Sequence, residues 1–306
     1  MTQVNGLPGA LDPPTAAPEA LSATRPLYWS VRRELWENRS IYLAPLAVAG
    51  VFLFGYSLSL IMLPHRLRGA ALDPAKQDSL LVMPFSAAAS LIILTSFIVG
   101  AFYCLDALYG ERRDRSILFW KSLPVSDRTT VLSKAGIPLV VLPLIAIVVS
   151  LATQLVMLFL STLVLSASSV GAAALWSRLP LVSMTLIMFY GVAVHALWHA
   201  PLYAWLLLIS GWARRTPLLW VVLPPMALGI FERITIHTSL VGWLLKDRLI
   251  GAMKVAFVPS GQHDIRSLSQ LDPLRFLITP GLWIGLIAAA AFLSAAARLR
   301  RYREPI

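Results

Sequence analysis

The sequence predicts an all-α membrane protein with six transmembrane helices, on two observations. The composition is 58% hydrophobic and 13% charged, whereas soluble domains carry about 25% charged residues. Six stretches also lack charge and approach or exceed the roughly 20 helical residues that cross a hydrocarbon core about 30 Å thick. Most side chains are therefore expected to face lipid or other helices. The predicted spans are Ile41 to Leu63, Leu80 to Leu105, Ile137 to Leu165, Leu181 to Ile209, Pro217 to Phe231 and beyond, and Phe276 to Ala297.

Two segments precede the six-span domain, which is predicted to cover residues 41–306. Residues 1–24 are rich in Pro, Ala, Gly and Thr, a composition that predicts a disordered tail. Residues 25–40 are predicted to form an amphipathic helix on the membrane surface, with Leu27 and Val31 on its apolar face. The opposite face of that helix carries Arg33, Glu34 and Glu37. Both a simple membrane anchor and a helix that docks a partner fit this pattern.

The net charge of +11 is explained by topology. With a cytoplasmic N-terminus, sixteen Lys and Arg residues fall on the inner side and nine on the outer side. This excess predicts cytoplasmic N- and C-termini, so no nucleic-acid partner is needed to account for the charge. The inner segments are residues 1–40, 106–136, 210–216 and 298–306, and the outer segments are 64–79, 166–180 and 234–275.

One hydrophilic loop, residues 106–135, separates the second and third spans. Glu111 and Arg115 are four residues apart, which supports a helix, and an apolar stretch with Trp120 follows. Ser126 is placed to cap a further helix that leads into the third span. A short helix of this kind fits a contact surface for a soluble protein and equally fits an interfacial helix whose aromatic rings rest among lipid headgroups.

The loop resembles the cytoplasmic loop of ABC-2-type transporter permeases. Its Glu-Arg pair before Ser116-Ile117, its Ser122-Leu123-Pro124-Val125-Ser126 centre and the later Lys134 match motifs that recur between spans two and three of that family. The resemblance implies a dimeric permease subunit, or one paired with a paralogue, in a bacterial inner membrane. It also implies two cytosolic ATPase subunits docked on this loop and on the amphipathic helix. The residues implied to couple the ATPase are Glu111, Arg112, Arg113, Asp114, Arg115, Trp120 and Lys121.

The sequence is consistent with an ATPase on another polypeptide. A Walker loop needs G-x-x-x-x-G-K-[ST] to cradle phosphates, and no Gly-Lys pair occurs anywhere in the chain. The chain itself is therefore expected to be no enzyme and to hold no cofactor, while ATP and Mg²⁺ bind the partner. Amphiphilic cargo, such as a peptide, drug or lipid, is the expected substrate of the exporter.

Two polar sites inside the apolar spans are candidates for the substrate path or its gate. His195 and His199 lie four residues apart in the fourth span, so they share one helix face. Polar packing, a substrate pocket and a metal site with ligands from elsewhere are all open for this pair. Glu232 and Arg233 interrupt the fifth span about 22 Å after Pro217. The candidate residues are His195, Trp198, His199, Glu232 and Arg233.

The region around the fifth span is predicted to be broken. Pro224 and Pro225 are expected to kink it, and residues 240–274 alternate apolar turns with charge. A helix that stops early and a re-entrant outer segment before the sixth span account for this pattern, as the resemblance also implies. The alternative is a tilted helix whose Glu232 and Arg233 reach outward.

Two further functions stay open beside the permease. The stretch from His195 to Pro201 faintly resembles the histidine motif of CAAX-type intramembrane proteases, but the adjacent glutamates of that family are missing here. A membrane anchor of a larger complex without transport would fit the same residues. The single cysteine, Cys104, is expected to fill space in the second span.

Overall fold

A computed structural model describes residues 24–70, 73–122, 125–168, 172–177, 179–258 and 267–302. It contains no β-strand within those ranges. The helices are α1 (Thr24–Glu37), α2 (Ser40–Gly69), α3 (Pro74–Leu81), α4 (Met83–Ala107), α5 (Tyr109–Arg113), α6 (Ser116–Ser122), α7 (Asp127–Gly136), α8 (Leu142–Ser166), α9 (Ala173–Trp176), α10 (Leu181–Trp212), α11 (Pro217–Thr235), α12 (Leu240–Ala256), α13 (Pro273–Ile278) and α14 (Pro280–Tyr302). The predicted tail up to residue 23, the Leu123-Pro124 motif and residues 259–266 lie outside the described residues.

Six stretches of helix are long and apolar enough to cross a membrane, which confirms a multi-pass membrane protein. One of them joins α4 to α5, and another joins α7 to α8 through a π-helical turn at Ile137–Val141. Pro138 removes one backbone N–H donor at that turn, which accounts for the local change in helical hydrogen bonding. The six stretches are Ser40–Gly69, Met83–Arg113, Asp127–Ser166, Leu181–Trp212, Pro217–Thr235 and Pro280–Tyr302.

Helix α4 occupies the centre of the bundle and packs against α2, α8 and α10. Small side chains permit the close approach: a Cβ added at Gly100 would lie 3.2 Å from the Tyr203 ring and 3.3 Å from Pro138. Small residues at helix contacts are the usual basis of packing in membranes. Buried hydroxyls add bonds between helices, as between Tyr56 and Ser161, whose oxygens are 2.7 Å apart.

The sixth span differs from its predicted start at Phe276. The chain forms α13, turns at Thr279 in an extended conformation with ψ of 119°, and begins α14 at Pro280. The physical reason is that a proline disfavours the helical conformation of the residue before it. Helix α14 then packs along α10 over most of its length.

The helix break after the predicted short fifth span occurs at residues 236–239. Helix α11 continues through Pro224 and Pro225 and includes Glu232 and Arg233 before it ends at Thr235. Helix α12 runs antiparallel to α10, since Asp247 lies beside Trp198 and Ala256 beside Tyr190. Helices α13 and α14 follow it. The predicted re-entrant outer segment stays a prediction.

Candidate functional site

The candidate site at one end of the bundle is built around a buried cluster of charged side chains, called the charge cluster below. Its members come from four helices that are distant in sequence. Five are at least four-fifths buried, and Asp127 is 28% exposed. The six carry three positive and three negative formal charges, so the cluster is neutral as a whole. They are Arg33 and Glu34 on α1, Glu111 on α5, Asp127 and Lys134 on α7, and Arg300 on α14.

Lys134 lies at the centre of the charge cluster. Its Nζ is 2.8 Å from Glu34 Oε1 and 3.2 Å from Glu111 Oε1, and only 2% of the side chain is exposed. Arg33 Nη2 contacts the same two carboxylates at 2.7 and 3.1 Å. Arg300 donates to the other oxygen of Glu111 at 3.2 Å and to Asp127. Because each buried charge has an opposite partner, the cluster avoids the large cost of an isolated buried ion.

Glu34 shows how the charge cluster holds a carboxylate ionised out of water. Burial raises the pKa of this carboxyl, but Lys134, Tyr103 and Arg33 outweigh burial and bring the pKa below its ordinary value of 4.5. The Tyr103 hydroxyl donates to Glu34 Oε2 at 2.7 Å. Opposite charges and hydrogen bonds to the ionised form are the general causes of such lowering. Glu34 is therefore the residue that fixes α1 to α4 and α7.

The sequence placed Glu34 on the solvent side of the amphipathic helix, and the structure reverses this. Glu34 is 1% exposed, whereas Tyr28, Trp29 and Trp36 are more than half exposed. Val31 packs against the bundle beside this polar stripe. The reason is that Glu34 meets its cationic partners only after α7 and α5 have packed, which helical periodicity alone cannot show.

The predicted coupling residues fall into two groups. Glu111 and Arg112 are buried, at 8% and 4% exposure, so neither is available as a surface contact. Glu111 belongs to the charge cluster. Arg112 Nη1 donates to the carbonyl oxygens of Gly211 and Ala213, at 2.8 and 3.1 Å, and caps the C-terminus of α10. Both side chains have internal partners, so neither offers an exposed contact in this chain, and their predicted part in coupling an ATPase stays a prediction.

Ser210 completes a reciprocal contact between α5 and α10. Its hydroxyl accepts hydrogen bonds from the backbone N–H groups of Leu108 and Tyr109, at 3.1 and 2.9 Å. Unpaired N–H groups at a helix start and carbonyl groups at a helix end both need such partners. Gly211 allows the approach, since an added Cβ would lie 3.3 Å from Leu108. Helix α5 is thus fixed at both of its ends to the last turn of α10.

The exposed part of the loop begins where α5 ends. Arg115 has φ of 57°, so the chain turns there and Glu111 and Arg115 do not share one helix as predicted. Trp120 packs under Arg33, whose guanidinium carbon is 3.9 Å from the ring centroid. Ser126 does cap α7, accepting from the Thr129 N–H at 3.1 Å. The exposed side chains around the turn and α6 are Arg113, Asp114, Arg115, Leu118, Phe119 and Lys121.

The histidine pair lies within the bundle, away from the charge cluster. The rings of His195 and His199 stack with centroids 4.1 Å apart, and Phe97 packs edge-on against both. His199 Nδ1 is 2.9 Å from the carbonyl oxygen of His195, and Nε2 is 3.4 Å from that of Leu249. A neutral imidazole has one N–H and donates to only one of them. The tautomer with the proton on Nε2 bonds to α12, and the tautomer with the proton on Nδ1 bonds within α10.

Metal chemistry gains no support at the histidines. No group of three or more His, Cys, Asp or Glu side chains that could hold a metal ion occurs within the ranges described. Trp198 is 1% exposed and donates from Nε1 to the Asp247 carbonyl oxygen at 3.1 Å. Trp198 and His199 therefore pack inside one subunit as described, while His195 retains partial exposure.

Glu232 has a structural role in this fold. Its carboxylate accepts hydrogen bonds from the Thr238 hydroxyl and from the backbone N–H groups of Leu240 and Val241. A carboxylate at a helix start satisfies unpaired N–H groups and favours the positive end of the helix dipole. Glu232 thus caps α12 across the break and is not joined to the histidines. Arg233, its neighbour, is exposed.

Sequence reasoning did not single out Arg300 or Arg248 as site residues. Arg300 lies in the last turn of α14, in a basic run that reads as a cytoplasmic end, and no local pattern shows its pairing with Glu111. Arg248 donates to the Gly281 carbonyl and stacks over Trp198, 4.7 Å from the ring centroid. The available signal was a charged residue within an otherwise apolar helix, which marks a functional or tightly packed position in membranes.

Comparison with known proteins identifies no relative. No family model, curated protein or solved structure matches this chain.

Proposed function

We propose that this chain is the permease subunit of an ATP-driven exporter of the ABC-2 type. In this proposal it forms a dimer in a bacterial inner membrane, with its termini in the cytoplasm, and two separate ATPase subunits dock on its charged end. The exported cargo is amphiphilic. One observation carries the proposal: a buried, neutral charge cluster fixes a short, partly exposed loop to α1 and to two of the six long helical stretches, through α7 and α14.

The charge cluster supports a mechanical role because it joins the loop to helices that cross the membrane. Glu111 of α5 connects through Lys134 to α7, which continues into α8, and through Arg300 to α14. Arg112 and Ser210 connect the same short helix to α10. A displacement of α5 and α6 would therefore be transmitted to three long helices without a flexible link. A loop that only anchored the protein in headgroups would need none of these buried pairs.

The exposed loop surface supports a protein partner. Leu118 and Phe119 are 59% and 61% exposed and lie beside Arg113, Asp114 and Arg115. An apolar centre with a charged rim is the usual composition of a protein interface. Arg33 of α1 packs on Trp120 of α6. The two helices would therefore present one continuous surface to an ATPase.

The protease alternative receives no supporting contact. Glu232 is committed to the cap of α12, and both ring nitrogens of His199 face backbone carbonyl oxygens. A general base must lie within hydrogen-bond reach of the water that it activates, and no carboxylate is joined to either histidine within the part of the chain that the structure describes.

The direct test is copurification of the full chain from its native membrane in mild detergent. The expected result is a soluble-type subunit with a Walker motif, in equal amount to this chain, and ATP hydrolysis by the purified complex. Phe119→Asp should release that subunit, because it places a charge in the apolar centre of the loop. Trp176→Asp is the matched control, since Trp176 is 55% exposed and lies outside the loop. Failure to recover any ATPase from crosslinked membranes would contradict the proposal.

A further inference from the structure

Helix α12 carries charged residues about halfway along the length of α10, far from the charged end of the bundle. Its register against α10 is fixed by three contacts: Tyr190 with the Ala256 carbonyl, Trp198 with the Asp247 carbonyl and His199 with the Leu249 carbonyl. Trp198 precedes Ser210 by twelve residues, or about 18 Å of helix. Because Ser210 bonds to α5 at the charged end, residues 246–248 lie about 18 Å from that end.

In the proposed exporter this depth falls within the hydrocarbon layer. A layer about 30 Å thick that begins near Ser210 would end near Tyr190, twenty residues earlier in α10. Lys254, two residues before Ala256, then lies at the far edge, where a lysine can extend to the headgroups. Lys246 lies about 12 Å farther in. A lysine at this depth faces water or an anionic partner, because exposure of its charge to lipid is costly.

The other charges on α12 leave Lys246 uncompensated. The carboxylate of Asp247 folds back along its own helix, with Oδ1 only 2.5 Å from where a Cβ on Gly251 would stand. Arg248 points between α10 and α14, over Trp198. Lys246 is exposed, and no carboxylate of a described residue forms a salt bridge with it. Two cations and one internally directed acid therefore occupy this level of α12.

We propose that Lys246 binds the anionic group of an amphiphilic ligand, a phosphate or carboxylate carried on an apolar chain. The exposed side chains around Lys246 suit the apolar part: Trp243, Leu244 and Ile250 are 53–60% exposed. This inference rests on the proposed function and specifies its cargo as anionic. The same helices of a second copy offer no ready carboxylate to Lys246, because Glu232 is used in the cap and Asp247 folds against its own helix.

The test measures binding by the purified full chain without any ATPase, in dodecyl maltoside. Dodecyl phosphate is the probe, phosphatidylglycerol represents a membrane-lipid source, and inorganic phosphate represents the free anion. Lys246→Gln should raise the dissociation constant for dodecyl phosphate about tenfold, the effect of losing one charge-assisted contact. Lys254→Gln is the matched control on the same helix and should change it less than about twofold.

Four outcomes decide the proposal. Equal effects of Lys246→Gln and Lys254→Gln would mean general attraction to a basic surface, and would overturn it. If inorganic phosphate binds as tightly as dodecyl phosphate, the ligand needs no apolar chain, and the proposal of an amphiphilic ligand is overturned. Tighter binding of phosphatidylglycerol than of dodecyl phosphate would support the site and identify membrane lipid as its source. If Lys246→Gln does not fold, Lys246→Arg should retain binding, and its loss would contradict the charge requirement.

Solvent access to Lys246 gives an independent check. In a Cys104→Ala background, Lys246→Cys should react in membranes with a charged maleimide, because the proposal requires an aqueous path to this residue. Absence of reaction would overturn the proposal. Binding and copurification also separate the two proposals. If an ATPase copurifies but the chain does not bind dodecyl phosphate, the permease proposal stands and the anionic cargo is contradicted. If the chain binds dodecyl phosphate but no ATPase copurifies, the anion site stands and the exporter proposal is contradicted.

Discussion

The charge cluster and the middle of α12 both contain acidic and basic side chains, but they differ in burial and in ion pairing. In the charge cluster, Glu34, Lys134 and Arg300 are 1–4% exposed, and each has at least one oppositely charged partner. On α12, Lys246 is exposed and has no such partner among the described residues. Charges that are buried and paired specify how the helices assemble, whereas a charge left unpaired at membrane depth requires something outside the chain. The contrast separates structural residues from candidate binding residues.

Orientation of the two regions in the membrane gives the largest expected effect, because labelling is all or none. Single cysteines at Lys76 and Arg128, in a Cys104→Ala background, lie at exposed positions in successive loops. The split of basic residues is 16 to 9, or 16 to 7 without Lys246 and Arg248 on α12. It predicts that Lys76→Cys reacts with an impermeant thiol reagent in intact cells and that Arg128→Cys reacts only after lysis. Outside labelling of Arg128→Cys would place the charge cluster on the wrong side for a cytosolic ATPase.

Removing the centre of the charge cluster should destabilise the protein severely. Lys134→Met leaves the partly exposed Arg33 as the cation that Glu34 and Glu111 share, and removing one partner of a buried ion pair costs about 3–5 kcal/mol. The expected result is loss of most monodisperse protein in size-exclusion chromatography. Lys121→Met, on the exposed α6, is the control and should elute normally. The double variant Glu34→Gln with Lys134→Met should recover part of the loss, and no recovery would argue against direct coupling.

The contact between α5 and α10 should contribute less than the charge cluster. Arg112→Ala removes two hydrogen bonds from a guanidinium to the last carbonyls of α10, each of the charged type worth about 1.5–3 kcal/mol when buried. We expect a clear fall in the melting temperature of the purified chain. Arg113→Ala removes exposed ion pairs with Asp106 and Asp114 and a ring contact with Tyr109, and it should shift the melting temperature little. Equal shifts for the two variants would show that the carbonyl contacts do not stabilise α10.

Acidification should weaken the charge cluster gradually. Because the folded state lowers the pKa of Glu34 below 4.5, the contribution of this carboxylate is complete above the unfolded-state pKa. It is lost as the pH falls through the lower folded-state pKa. Melting temperatures measured from pH 6 to pH 3 should therefore fall in the acidic part of that range. Glu34→Gln should flatten this dependence, and an unchanged slope in the variant would assign the acid sensitivity to other groups.

The sequence could predict the helices but only part of the candidate site. Apolar runs located all six long helices, because a membrane forces each spanning segment to satisfy its own backbone and to expose apolar side chains. Ser126 was also predictable, since a helix cap depends on residues three positions away. Glu111 and Arg112 stand in the same hydrophilic loop as Arg113, and nothing in their local spacing distinguishes buried from exposed members.

Composition and hydrophobic patterning alone thus determined a six-span helical membrane protein, because the length and polarity of each segment are local properties. Only the tertiary structure decided which charges are internal. Glu34, Glu111 and Arg300 are separated by up to 266 positions in the chain, yet they share one neutral cluster with Lys134. Tertiary packing likewise decided that Glu232 caps α12 and that Lys246 has no carboxylate partner among the described residues. The physical reason is that the energy of a charge in low dielectric depends on its neighbours in space.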